Sequence, residues 1–371
     1  MKLKNMEILI ILLFILLVLG FLYRRFEEKK MREENKVNYD AIKEYLLDNE
    51  SLEKSKKPIL WLYIPYEYNS RRWLSFGSRS SFELNQPYLE LTIRSIIKNC
   101  KKSFTICIID DNSLNNLLNE WKINMSILSE PILSNMRILG IIKLIYKYGG
   151  MICPISFLCM KDLIGLYTKG TIGNKMFICE GVNINSLSNG MKYNPNINFW
   201  GAPKECKIVS NLCNYIEIII SHDQSDECKF LGKYELWCLK KIEERKINII
   251  EGIEIGTKTI DEKPILLDDL MSNNYLDLYK GTYGILIPSK ELLKRINYGW
   301  FVRLSPRQVI ESNTIIGNYI LLSIGNEDEG ILEPLQVKPN WVSFWKIPSG
   351  APNWGLKPLG VGDNVRKKKT P

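Results

Sequence analysis

Apolar and polar positions along residues 58–165 follow a repeated strand and helix succession. "PILWLYIP" (58–65) is a short apolar run bounded by prolines, the pattern of a buried strand. After the long loop "YEYNSRRWLSFGSRSSFELNQ", Pro87 stands where a first-turn proline belongs. Leu89, Ile93, Ile96 and Ile97 then fall on one face of the helix predicted for "YLELTIRSIIKNC". "SFTICIID" reads as the second strand, with Asp111-Asn112-Ser113 capping the helix that follows. "SNMRILGIIKLIYKYGG" predicts a third helix stopped by glycine, and "MICPISFLCM" returns as a strand. Such alternation predicts an α/β fold with a mainly parallel sheet flanked by helices.

Beyond Lys161 the same reasoning places strands at "KMFICE", "NFWGAP" and "GILIP". Helices are expected from Pro203 to about Ile220, over "KYELWCLKKIEERK" and "SKELLKRI", and over "SPRQVIESNTIIGNYILLSI", where Ser305 caps and Pro306 enters the first turn. Asp268-Asp269 reads as a helix start. Upstream of the body, Ile8 to Tyr23 is an uncharged run flanked by Lys2 and Lys4 on one side and Arg24-Arg25 on the other. As a helix it spans about 24 Å, short of a hydrocarbon layer of about 30 Å unless the flanking cations snorkel. No small-residue cleavage site follows it, so an uncleaved anchor is expected. The organisation that results is a tail (1–7), a transmembrane anchor (8–23), a charged helical stalk (24–57), the α/β domain (58–330) and a Pro- and Trp-rich extension with a basic end (331–371).

Composition narrows the function classes. The chain has 371 residues, 45% hydrophobic and 25% charged, enough to bury a full core. Its formal net charge is +9, but the cations are scattered except for Arg366-Lys367-Lys368-Lys369. No basic helix, zinc finger or stacked-aromatic motif accompanies them, so an anionic ligand or a membrane surface is expected as partner and nucleic acid is not. Nine cysteines without a Cys-x-x-Cys pair suggest neither a disulfide framework nor zinc, and fit a reducing compartment. With one histidine, His222, acid–base chemistry would fall mostly to carboxylates, Tyr or Lys.

The succession from "PILWLYIP" through "FTICIIDDNSL" to "MRILGIIKLIYKYGG" resembles the sugar-binding region of glycosyltransferases with the nucleotide-diphospho-sugar transferase (GT-A) fold, over roughly residues 58–165. The stretch "SFGSRSSFELNQPYL", the Tyr-Gly-Gly-Met-x-x-Pro-x-Ser-Phe spacing of residues 148–157 and "KPILLDDLM" resemble a family of membrane-anchored proteins of giant (large DNA) viruses. The resemblance implies a GT-A-like mixed sheet, a nucleotide sugar or a glycan as ligand, and a UDP- or GDP-sugar as the donor of any active form. In the enzymes an Asp and an Arg in the helix before Tyr-Gly-Gly contact the nucleotide sugar, and those positions are Ile138 and Ile141 here. Arg137 lies one turn earlier and substitutes only in part. The metal-binding Asp-x-Asp falls on Pro154 and Ser156. A hard divalent cation requires oxygen ligands, which proline does not provide, so no metal site is expected.

The ligand cleft expected from these positions is built of Asp110, Arg137, Pro154, Ser156 and Glu180. Asp110 follows a strand at its carboxyl end, the edge at which α/β sheets bind ligands, and Glu180 ends "KMFICE". Arg71, Arg72 and Arg79 read either as a solvated loop or as a phosphate site standing in for the metal. Three functions follow as expectations: a degenerate transferase-like binder or scaffold in a viral membrane or factory, an active metal-independent transferase, or a structural envelope protein. Arg24, Arg25, Lys29, Lys30, Arg32 and Lys36 outnumber Lys2 and Lys4 around the anchor, which predicts a body facing the cytosol or a virion interior.

Overall fold

The computed structural model describes residues 55–64, 86–118, 120–129, 132–182, 193–221 and 232–325, with short pieces at 18–20, 22–23, 25, 52, 341–342 and 345–346. The chain divides into two compact units, Met1–Leu47 and Asp48–Pro371. In the first unit the described residues are helical, and Val18, Leu19, Leu22 and Tyr23 are exposed. Among the described residues no helix is long and apolar enough to cross a membrane. The expected anchor and stalk lie largely outside the described residues.

The second unit is built on a six-stranded mixed sheet. Its strands are β1 (Ile59–Tyr63), β2 (Thr105–Ile109), β3 (Gly150–Ile152), β5 (Met176–Glu180), β6 (Pro195–Ala202) and β7 (Ile247–Ile250), in the spatial order β2-β1-β3-β6-β5-β7. Parallel ladders join β1 to β2 and to β3, and β5 to β7, while β6 runs antiparallel between β3 and β5. Five strands therefore share a direction and bring their carboxyl ends to one edge. β1, β2 and β5 are close to continuously apolar, as strands covered on both faces must be.

The helices between these strands are α1 (Tyr88–Cys100), α2 (Asp111–Leu117), α3 (Ile132–Tyr148), α4 (Ile164–Gly170), α5 (Lys207–Ser221) and α6 (Lys233–Glu243). α1 buries Tyr88, Leu91, Ile93, Ile96 and Cys100, a stripe overlapping the predicted one, whereas Leu89 and Ile97 are only half-buried. The helix also buries Thr92 and Ser95, and both hydroxyls have partners, as burial demands. Thr92 donates to the Ile155 carbonyl (2.5 Å), and the Ser95 hydroxyl accepts from the Cys159 amide (2.9 Å). α1 thus holds the chain where it leaves the sheet after β3.

"MICPISFLCM" is not one strand. It splits into β3 and β4 (Phe157–Cys159), and β4 pairs antiparallel with β8 (Gly284–Leu286) in a separate two-stranded sheet. The break falls at Pro154, which cannot donate to a ladder and whose carbonyl accepts the Phe157 amide (2.9 Å) in a turn. The glycine stop before β3 holds as expected: Gly149 and Gly150 have φ of +77° and +99°, and a Cβ on Gly150 would run into the Ile59 carbonyl. The Trp61 indole donates to the Gly149 carbonyl (3.0 Å), fastening the turn to β1.

Beyond β7 lie α7 (Leu267–Met271), α8 (Ser289–Lys294), α9 (Pro306–Ile310) and α10 (Ile315–Ile324), which pack a second apolar cluster with Tyr88 and Leu158 around Trp300 and Phe301. Ser305 caps α9 as predicted, but the expected single helix is two, because Thr314 caps α10 in turn. Nor does the helix expected from Pro203 start there; α5 begins at Lys207, after a turn in which Glu205 has φ +57°. The strand β7 and the helix α4 were not predicted. A short antiparallel pair, β9 (Trp341–Val342) with β10 (Trp345–Lys346), lies in the C-terminal extension.

Candidate functional site along the carboxyl edge of the sheet

Asp110, Pro154 and Glu180 each follow or end one of the parallel strands, so all three stand on the same edge. Along it, β2 and β5 are four strand spacings apart, about 19 Å at ~4.8 Å per strand. Asp110 and Glu180 therefore belong to different ends of the edge rather than to one contact set.

At the β1–β2 end the acidic pair has roles opposite to those expected. Asp110, not Asp111, is the N-cap of α2, and its carboxylate accepts from the Ser113 amide (2.8 Å) in a complete capping box. The reason lies in the backbone: Asp110 is still extended, as a cap must be, whereas Asp111 is already helical. Asp111 instead meets Arg137 of α3 in a two-pronged pair, with Nε at 3.0 Å and Nη2 at 2.7 Å from its oxygens. The Tyr63 hydroxyl, at the end of β1, donates to the same carboxylate. The two charged side chains are only 11% and 17% exposed, so the pair is largely desolvated. Burial, and then the hydrogen bond to Asp111, push the Tyr63 phenol well above its usual range.

Midway along the edge, the β3–β4 turn carries Pro154 and Ser156, the latter buried at 5% exposure. These residues do not fit a divalent cation, since proline has no side-chain oxygen and one buried hydroxyl cannot complete a shell of six. Among the described residues no group of three or more His, Cys, Asp or Glu could hold a metal ion.

At the β5–β7 end, Glu180 is 3% exposed and bridged on both oxygens. One lies 2.5 Å from the Lys258 ammonium and the other accepts from the Gly252 amide (2.8 Å). Thr257 donates to the Glu180 carbonyl (3.1 Å), so the loop 251–258 is clamped onto the strand end. Gly256 allows that loop its tight path, with φ +65° against the β8 backbone. Over this buried ion pair opens a cleft of about 930 Å³, walled by aliphatic residues of α6, Ile249 and Ile253.

Of the expected site residues, Arg137 is recruited through Asp111, Asp110 is a structural cap, and Glu180 lies at the floor of a separate cleft. Arg71, Arg72, Arg79 and His222 lie outside the described residues. Sequence reasoning missed Tyr63 and Lys258. Tyr63 ends an apolar run and carries no local signal, whereas Lys258 follows Gly252 and Gly256, whose spacing marks a tight loop. Neither a family model nor a curated protein matches this chain.

Proposed function

We propose that this chain is a membrane-anchored protein with a degenerate, GT-A-like glycosyltransferase domain that binds or scaffolds in a viral membrane or factory and does not transfer sugar. The observation that carries this reading is the β3–β4 turn, which holds Pro154 and buried Ser156 where the sequence resemblance would put the metal-binding carboxylates. Among the described residues the other carboxylates of this sheet edge do not compensate, because Asp110 is engaged as a cap, Asp111 by Arg137 and Tyr63, and Glu180 by Lys258. The mixed, mainly parallel sheet is the architecture that the sequence resemblance leads one to expect.

A metal-independent transferase is the second reading. It has to rely on Arg71, Arg72 and Arg79 for the diphosphate, since the Arg137 guanidinium is held by Asp111. We place the body on the cytosolic or virion-interior side, on the excess of Lys and Arg that follows residue 23. The described cysteines agree, being free thiols of which only Cys213 is not fully buried. The deciding experiment incubates the full chain with UDP- and GDP-sugars, with and without Mn²⁺ or Mg²⁺, and measures released UDP and GDP. No release in either condition is expected. Metal-dependent release overturns the degenerate reading, and metal-independent release that is lost on replacing Arg71, Arg72 and Arg79 with Gln establishes the second.

A further inference from the structure

We infer that the outer edge of β7 and the cleft beside it form a docking surface for an extended, Lys- or Arg-bearing peptide segment of another protein. This rests on the binding role proposed above and gives it a ligand class. β7 is the terminal strand of the sheet, and among the described residues nothing pairs with its outer side. Alternate residues of such a strand turn N–H and C=O groups outward, where an added strand satisfies them.

The side-chain alternation of β7 then decides what the added strand meets. Asn248 donates to the Gly170 and Ile172 carbonyls at the end of α4, whereas its neighbour Ile249 lines the cleft with α6 and is 40% exposed. Because side chains alternate faces, every second residue of a strand laid beside β7 faces the cleft. The walls there, Leu236, Ile242 and Ile253, suit the methylene stem of a Lys or Arg.

Charge selects the head group. The cleft rim carries Glu243, Glu251 and Glu262, all exposed and none in an ion pair among the described residues. Of the two lysines lining the cleft, Lys258 is already paired with Glu180, which leaves Lys240 against three carboxylates. A rim of that sign attracts a cation and repels a phosphate, so a nucleotide diphosphate is the wrong ligand for this end of the edge.

The test titrates the full chain into a fluorescein-labelled decapeptide of alternating Lys and Thr and follows anisotropy. Saturable binding is expected, weakened at least about tenfold by Glu243→Gln, Glu251→Gln and Glu262→Gln together and unchanged by Glu205→Gln at the β6–α5 connection. N-methylation of alternate peptide amides should abolish binding, which charge attraction alone would leave intact. The proposal fails if the Lys-Thr peptide does not bind, if a Glu-Thr peptide binds as well, or if the rim substitutions have no effect. Binding that emerges only after Arg366, Lys367, Lys368 and Lys369 are replaced by Gln assigns the cleft to the chain's own tail and overturns the partner. Donor turnover is read separately: peptide binding with turnover overturns only the non-catalytic reading, and neither binding nor turnover overturns only the docking surface.

Discussion

The two ends of the sheet's carboxyl edge handle buried charge in different ways. At the β1–β2 end, Arg137, Asp111 and Tyr63 are matched to one another, with a fork of two hydrogen bonds and a phenol supplying what a carboxylate needs. At the β5–β7 end, Glu180 and Lys258 form an equally close pair, but the loop that brings Lys258 to it stands clear of α6 and leaves a cleft above. An ion pair at a strand end is therefore not by itself a ligand site. What distinguishes the second end, among the described residues, is the unfilled volume and the unmatched rim around a pair that is already satisfied.

The floor of the open end should be the most sensitive point. Lys258→Met removes the ammonium and keeps the stem, leaving the Glu180 carboxylate at 3% exposure with only the Gly252 amide as partner among the described residues. Stranding one member of a buried pair costs about 3–5 kcal/mol, and chemical denaturation of the variant should show a loss in that range. Arg137→Ala at the closed end should cost less, about 2–3 kcal/mol, because Tyr63 still donates to Asp111 and the carboxylate left behind is less deeply buried than Glu180. A larger loss for Arg137→Ala than for Lys258→Met would show that the closed end, not the cleft floor, carries the stability of this edge.

A smaller effect separates the two ends by pH. Tyr63→Phe removes one hydrogen bond to a charged acceptor and should cost about 1–2 kcal/mol at neutral pH. In the folded protein the Tyr63 phenol titrates above its ordinary value of 10.0, first because it is buried and then because it donates to Asp111. Above that value the unfolded chain has lost the phenol proton and the native state still holds it. The native state therefore loses stability as pH rises beyond about 10. The Phe variant lacks this term, so the gap between wild type and variant should narrow in alkaline titration. A gap that stays constant from pH 8 to 11 would mean that Tyr63 does not keep its proton in the way its burial implies.

Much of the frame, and less of the site, was legible in the sequence. β1, β2 and β5 were readable because strands covered on both faces are short apolar runs, and α1 and α3 because their apolar stripes recur with helical period. β7 was not, since "INII" follows directly on the charged end of α6 and is too short to stand apart from it. The split of "MICPISFLCM" was signalled by Pro154 but hidden by apolar residues on both sides. Assigning the cap to Asp111 failed for a finer reason: two adjacent aspartates are interchangeable in sequence, and only the backbone at the strand end decides which one is still extended. Pairings such as Glu180 with Lys258 join distant segments and have no local pattern to read.

The smallest expected effect concerns the rim of the open end. Glu243, Glu251 and Glu262 are exposed and none is in an ion pair among the described residues, so little of the native state's stability depends on their charge. Surface substitutions away from caps and buried networks usually change stability by less than about 0.5 kcal/mol. Each single Gln variant should therefore unfold within that margin of wild type, and the triple variant should be no less stable, since removing neighbouring like charges relieves repulsion. That outcome sharpens the contrast with Lys258→Met, which breaks a buried ion pair in the same cleft. If any one rim variant costs more than about 1 kcal/mol, its carboxylate has a structural partner and the rim is not the unmatched surface on which the docking argument depends.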